Sequence, residues 1–572
     1  MTSTSSSVPR STDSVAAYLL NYLRHRGVSH IFGVVGREAA AILFDEGEAP
    51  EFILTRHEFT AGVAADVQAR ISGAPSVSFA TLGPGITNLS TAVACAYLDR
   101  SPLIAIGAQA ETTDGIPGQT HQCIDSVALM TPITKYSVEI KSAAELLPAL
   151  EMAFSIATTE PLGPVFISIP IDVLASPLQP ATINRLQTDS LTLPAESGKT
   201  DRYRSDISQA AGLLSQSQSP VIAIGHAAVR AGAAQVLKAI CNRYEIPAVT
   251  TYAAKGALPS SDPMSVGTLS PYMDGILAIP ALDKIFADAD TILLVGYDYA
   301  EDFRPSMWRK GSPKRVIRIG TVPNPAAGLF IPDVDLAGDV RESIEDVFEQ
   351  VGDIKFGPRG QLLAKSMQMA RSQIMNVSDD CEGPITAQKA IGVINSEKQQ
   401  DAIVISDIGF FRHYAAIFTE VNDINQFITS AGGSSFGFGL PAAIGAKITE
   451  PHRQVIVIAG DGGFHSGSHD LETLARLNLG ITIVVLNNNS SGLIRLYQNL
   501  GHGRDNPKVV DFAPVDFAGL ANANGCDGVK CASAKDLAEK LRVALTSERP
   551  TLIEVPLRYD YGGNESFSAL RI

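Results

Sequence analysis

Two unbroken apolar runs joined by a segment of helical spacing leave a chain little choice but a parallel βαβ unit. Residues 455–459 run Val-Ile-Val-Ile-Ala into Gly460-Asp461-Gly462-Gly463, and residues 481–486 run Ile-Thr-Ile-Val-Val-Leu into Asn487-Asn488-Asn489-Ser490. In such a unit the carboxyl ends of the two strands lie side by side, so Asp461 and the 487–490 segment meet although a helix separates them in sequence. One carboxylate, one amide oxygen and backbone carbonyls form a hard-oxygen set suited to Mg²⁺. The glycines let backbone approach a phosphate. By itself Gly-Asp-Gly is also the turn of an ordinary dinucleotide-type fold with a surface aspartate.

The chain has 572 residues. At roughly 150 residues per domain this predicts three or four domains, and the distribution of strands below favours three. Apolar residues make up 45% and charged residues 18% of the chain, which predicts extensive burial, part of it between subunits. The formal net charge is −15 and no run of Lys and Arg occurs, so nucleic acid is not an expected partner. Cys95, Cys123, Cys241, Cys381, Cys526 and Cys531 have no Cys-x-x-Cys spacing, as expected for free thiols in a reducing compartment without a zinc site. The Ser/Thr-rich start lacks a secretory apolar core, and no apolar run approaches the roughly 18 residues of a membrane span. A cytoplasmic protein without membrane contact is expected.

The pattern predicts an α/β protein of three domains, each a mostly parallel sheet flanked by helices, over residues 1–185, 200–352 and 385–572. In the first domain, strands at 30–36 and 51–55 precede a helical stretch at 57–72, which puts Glu58 at a strand-to-helix junction. The helix dipole favours a carboxylate there, so a plain helix-start residue is one reading of Glu58. His121 and Gln122 follow the turn-rich Asp114-Gly115-Ile116-Pro117-Gly118 and belong on a loop. The middle domain has strands at 220–225, 246–251, 291–296 and 315–320. Gly225 with Gly232 makes no dinucleotide fingerprint, so no nucleotide is expected there. Its loops at 271–275 and 297–308 mix aromatic and acidic residues; they read as solvated loops, or as segments that offer a carboxylate to a cationic substrate.

The 24 residues 463–486 between Gly462 and Asn487 give the spacing of a known signature. Together with Arg56-His57-Glu58, Thr81-Leu82-Gly83-Pro84-Gly85-Ile86-Thr87-Asn88-Leu89 and Ala431-Gly432-Gly433-Ser434-Ser435-Phe436, it resembles the acetohydroxyacid synthase-like thiamine diphosphate enzymes over nearly the whole chain. The resemblance implies a thiamine diphosphate-binding fold for the first and third domains, with thiamine diphosphate and Mg²⁺ as cofactors. It implies that Glu58 bonds N1′ of the aminopyrimidine, and that His121 and Gln122 stand on the substrate side as catalytic residues. The cofactor-binding set it implies is Ile408, Gly409, Phe410, Phe411, Ser434, Ser435, Phe436, Asp461, Gly462, Gly463, Asn488 and Tyr559. Phe436 takes the position of the bulky residue that bends the cofactor. Asp461, Asn488 and the backbone of Ser490 are the implied metal ligands. The family builds each site from two chains, so a homodimer or homotetramer is implied.

Within the family, the words Phe32-Gly33-Val34-Val35-Gly36-Arg37-Glu38, Tyr297-Asp298-Tyr299-Ala300-Glu301-Asp302 and Ser406-Asp407-Ile408-Gly409-Phe410-Phe411-Arg412-His413-Tyr414 resemble the N2-(2-carboxyethyl)arginine synthase branch. This implies a reaction that joins D-glyceraldehyde 3-phosphate to the α-amine of L-arginine, giving N2-(2-carboxyethyl)-L-arginine and phosphate. Tyr272, Asp302, Arg412 and His413 carry over as substrate residues, Arg412 and His413 as cations for the phosphate and Asp302 as the carboxylate for the guanidinium. The pattern departs at Asn489-Ser490-Ser491 and Arg495, so the acceptor amine stays open. Two alternatives stand beside it: a carboligase making acetolactate from pyruvate, and a non-catalytic binding or regulatory subunit, against which Glu58, Asp461 and Asn488 argue.

Overall fold

The computed structural model describes residues 14–37, 42, 50–177, 200–270, 280–301, 304–308, 313–375, 383–504 and 506–558. Tyr272, Asp302, Tyr559 and the whole 178–199 connection lie outside the described residues. The chain divides into two compact units, Met1–Glu196 and Ser197–Ile572. They carry three six-stranded sheets in which every pairing is parallel, one sheet in the first unit and two in the second.

In the first unit the strands are β1 (His30–Gly33), β2 (Glu51–Leu54), β3 (Ser76–Ala80), β4 (Leu103–Gln109), β5 (Tyr136–Glu139) and β6 (Val165–Pro170), in the order β2-β1-β3-β4-β6-β5. Residues of β3, β4 and β6 are buried throughout, because helices cover both faces of a parallel sheet. The helices Glu58–Ser72 and Pro84–Leu98 both begin at the carboxyl edge of this sheet, one after β2 and one after β3. They cross at Gly62. A Cβ there would stand 2.4 Å from Ala92 Cβ and 2.8 Å from Leu89 Cδ1, so glycine sets how closely the two helices approach.

The second unit holds β7 (Pro220–Ile224), β8 (Ala248–Thr250), β9 (Ser265–Thr268), β10 (Thr291–Val295), β11 (Arg315–Gly320) and β12 (Val334–Ala337), ordered β12-β11-β10-β7-β8-β9. It also holds β13 (Ile403–Ser406), β14 (Phe427–Ile428), β15 (Val455–Gly460), β16 (Ile481–Asn487), β17 (Asp527–Lys530) and β18 (Thr551–Pro556), ordered β14-β13-β15-β16-β18-β17. One continuous apolar cluster joins the two sheets, running from Val221, Leu294 and Trp308 through Tyr252 to Phe410, Tyr414 and Val484. The backbone meets at Gly256, whose φ is +99° and where a Cβ would lie 2.1 Å from the carbonyl oxygen of Asp423. No L side chain fits there.

Strand order in the middle sheet reverses between β10 and β7, the place where open α/β sheets usually leave a ligand crevice. Here the chain's own groups occupy it. A Cβ on Gly225 would meet Gly296 O at 2.4 Å, and one on Gly296 would meet Ala228 N at 2.0 Å. The buried carboxylate of Glu301 accepts hydrogen bonds from His226 N at 3.0 Å, Asp298 N at 3.1 Å and the Thr251 hydroxyl, drawing together the loops that follow β7, β10 and β8. The five described cysteines are buried and stand outside any disulfide, and no described helix is long and apolar enough to cross a membrane.

Candidate active site

The strongest concentration of expected residues lies at the carboxyl ends of β13, β15 and β16. Register pairs Gly460 with Leu486, so the next residues, Asp461 and Asn487, leave adjacent strands together. Pleating then separates the asparagines. Asn487 turns inward and donates to the fully buried Glu554 at 2.9 Å, tying β16 to β18. Asn489 adopts a left-handed φ of +54°, and the turn folds Asn488 and Ser490 back toward Asp461. Asp461 Oδ2 accepts from the backbone N–H of Asn488 and of Ser490, each at 3.2 Å, while Oδ1 accepts from Gly462 N at 2.8 Å. Ser490 N also lies 3.3 Å from Asn488 Oδ1. The three expected metal ligands therefore stand together, Asp461 at its helix start against the 488–490 turn. Burial raises the Asp461 carboxyl above its ordinary value, opposed by those backbone donors.

This turn borders a cavity of about 200 Å³ lined by Ile408, Gly409, Phe410, Phe411, Phe436, Asp461, Gly462, Gly463, Asn488 and Ser490, among others. The first turns of the helices Phe410–Phe418, Asp461–Gly467 and Gly492–His502 all contribute to its wall. Helix starts leave backbone N–H groups free, which is the chemistry that receives a diphosphate. A Cβ on Gly462 would stand 3.1 Å from the Phe512 ring, and one on Gly409 only 2.5 Å from the Phe411 ring. Among the described residues no cluster of three His, Cys, Asp or Glu side chains exists, so the donor set is one carboxylate with amide and carbonyl oxygens. A buried carboxylate beside a glycine-lined cavity walled by the first turns of three helices fits Mg²⁺ and a diphosphate.

Phe436 lines the cavity mouth and is 59% exposed. Ser434 and Ser435 do not line it. Ser434 sits at φ +48° and its hydroxyl receives Arg412 Nη1 at 2.9 Å. Arg412 is buried, also donates to Ser430 O at 3.0 Å, and stacks its guanidinium 5.4 Å from the Tyr252 ring centroid. Its Nε has no hydrogen-bond partner. The expectation of a second cation at His413 needs correction. His413 is 1% exposed, its Nδ1 meets Tyr252 Oη at 2.6 Å and Ser270 Oγ at 3.3 Å, and burial together with Arg412 drives its pKa well below the ordinary value. An imidazole whose charged form is disfavoured in this way is a poor source of charge for a phosphate.

In the first unit, Glu58 is the first residue of its helix, capped by His57 through Phe59 N, and is 7% exposed. Its Oε2 accepts from Asn88 Nδ2 at 3.0 Å, and a Cβ on Gly85 would come within 3.3 Å of Oε1. Gln122, at φ +56°, presses its carbonyl against Gly83, where a Cβ would lie 2.3 Å away. His121 and Gln122 are both exposed. The turn at 81–85 thus touches Glu58 on one side and the 120–123 loop on the other. Sequence reasoning did not single out Asn88, although it lies in the quoted 81–89 word. It also missed Asp407, whose Oδ1 accepts from Ile408 N at 2.6 Å and whose buried carboxyl is pushed up to about 6. Glycine at 463 leaves room for it, with Oδ2 3.2 Å from where a Cβ would stand.

Residues 13–129, 207–347 and 407–555 match, in order, the N-terminal TPP binding, central and C-terminal TPP binding domains of thiamine pyrophosphate enzymes. The chain is 31% identical over 544 residues to the acetolactate synthase large subunit of Lactococcus lactis subsp. lactis, covering 94% of this chain and 91% of the relative. It is 30% identical over 555 residues to a probable acetolactate synthase large subunit of Methanocaldococcus jannaschii, covering 94% and 91%. To an acetolactate synthase of Bacillus subtilis it is 27% identical over 552 residues, covering 95% and 93%. Thiamine diphosphate is the cofactor these domains imply, with Mg²⁺ as the family's usual metal. The chain belongs to the acetolactate synthase-like family of thiamine diphosphate-dependent enzymes.

Proposed function

We propose that the protein is a carboligase that uses thiamine diphosphate and Mg²⁺ to join the two-carbon part of pyruvate to a second carbonyl substrate, the carboxyl group of the pyruvate leaving as carbon dioxide. The observation that carries this reading is the meeting of Asp461, Asn488 and Ser490 beside a glycine-lined cavity, in a chain whose relatives are acetolactate synthases. Asp461, Asn488 and the Ser490 backbone would hold the metal, and the N–H groups at 409–411 and at 463 would receive the diphosphate. When bound, thiamine diphosphate supplies an acidic carbon that becomes a nucleophile and an electron sink. Glu58 holds a proton for the aminopyrimidine nitrogen. His121 and Gln122 offer hydrogen bonds on the substrate side. Arg412 is the guanidinium for a substrate anion, here a carboxylate.

A second reading is synthesis of N2-(2-carboxyethyl)-L-arginine, with Arg412 on the phosphate of D-glyceraldehyde 3-phosphate and with Tyr272 and Asp302 toward arginine. One observation favours it: Arg412 is a buried cation with an unpartnered Nε. The lowered pKa of the buried His413 weighs against it, since it disfavours a second charge beside Arg412 to face a dianion.

Product masses decide between them. Incubation with pyruvate alone should yield acetolactate. Absence of acetolactate, with an arginine adduct formed from glyceraldehyde 3-phosphate and arginine, would replace the first reading by the second. No product from either mixture and no bound cofactor would leave a non-catalytic subunit.

A further inference from the structure

Glu58 is held by a group outside its own helix, and that contact selects between its two oxygens. Two helices start at the same sheet edge, Glu58–Ser72 and Pro84–Leu98, and Gly62 lets them pack closely enough for the side chain of Asn88 to reach across. Asn88 Nδ2 donates to Glu58 Oε2 at 3.0 Å. An amide N–H donates and accepts nothing, and the unprotonated oxygen of a carboxyl group is the stronger acceptor, so the contact favours Oε2 as the acceptor and leaves the carboxylic proton on Oε1. Oε1 lies instead over Gly85, which has no side chain to cover it.

We propose that Asn88 is a positioning residue for Glu58: its amide occupies Oε2 and confines the exchangeable proton to Oε1, the oxygen beside Gly85. This rests on the reading of Glu58 as the proton donor to the aminopyrimidine. The step then moves one proton, from Glu58 Oε1 to the ring nitrogen, and leaves a carboxylate whose Oε2 stays hydrogen-bonded to Asn88. Without the amide, the carboxyl group can turn about its last bond and share the proton between both oxygens, and a poorly aimed proton transfer is slow.

The test uses the full-length enzyme with Asn88→Ala, the isosteric Asn88→Asp, which lacks the donor, and Asn88→Gln, which retains it. In cofactor-free protein, the infrared difference between wild type and Glu58→Gln isolates the Glu58 carboxyl band, and Asn88→Ala should move that band. In the loaded enzyme, hydrogen–deuterium exchange at C2 of thiamine diphosphate should slow about tenfold in Asn88→Ala, the loss of one hydrogen bond to a charged group. It should slow further in Asn88→Asp and recover in part in Asn88→Gln. Thiamine diphosphate affinity and melting temperature should hold, which separates aim from collapse of the fold. Combined with Glu58→Gln, Asn88→Ala should add nothing. An unmoved band with an unchanged exchange rate, or an equal further loss in the Glu58→Gln background, would overturn the proposal. Should Glu58→Gln itself exchange at the wild-type rate, the reading of Glu58 fails first; should it slow while Asn88→Ala does not, only the role of Asn88 falls.

Discussion

Glu301 illustrates at single-residue scale how burial becomes a property of the whole protein. Burial pushes its pKa from 4.5 up to about 7, and the Thr251 hydroxyl and His226 N–H only partly oppose this. The folded protein therefore keeps a proton that the unfolded chain releases in the same window. The stability contributed by that proton is fully present below about pH 4.5 and is lost as pH rises through about 7. Glu301→Gln, which mimics the protonated form, should flatten this fall, seen as urea midpoints measured from pH 5 to 8. Asp461 is a different case, because its carboxylate has a proposed cation to meet. Asp461→Ala should remove Mg²⁺ and thiamine diphosphate together, as read by equilibrium dialysis; unchanged binding of either would remove Asp461 from the metal site. Arg412→Ala should raise KM for the anionic donor about ten- to a hundredfold, the worth of a charge-assisted hydrogen bond. An equal loss for an uncharged aldehyde would refute an anion-binding role.

At the scale of elements, close approach decides more than composition does. The crossing at Gly62 has no slack for a methyl group, with Ala92 Cβ 2.4 Å from where it would stand. Gly62→Ala should cost about 1–3 kcal/mol of stability by overpacking, measured by urea unfolding. It should also weaken the Asn88–Glu58 contact by moving one helix outward, so C2 exchange should slow even where the fold survives. The strand–turn–helix units were legible because long apolar runs with glycine at their ends have few other solutions. Which of three consecutive asparagines faces the cavity was not readable from types alone. It follows from the pleat that sends Asn487 to Glu554 and from the left-handed turn at Asn489.

At the scale of the whole molecule, apolar side chains stand exposed around the cavity mouth, with Phe436 at 59%, Ile494 at 46% and Phe512 at 44%. Exposed apolar groups of this kind mark a surface that meets a ligand or a partner chain. We expect a homodimer or homotetramer by light scattering; a fully active monomer would contradict this. If sites draw on two chains, mixing inactive Glu58→Gln and Asp461→Ala subunits should restore activity, because a hybrid contains one site with neither change. The sequence by itself determined the parallel α/β class, the oxygen set at the ends of two adjacent strands and the helix-start position of Glu58, since hydrophobic period and glycine turns act locally. Only the tertiary structure decided that Asn88 reaches Glu58, that Glu301 joins the loops at the middle crevice, and that burial lowers the pKa of His413. Those outcomes depend on distances between segments far apart in the chain and on the water that their packing excludes.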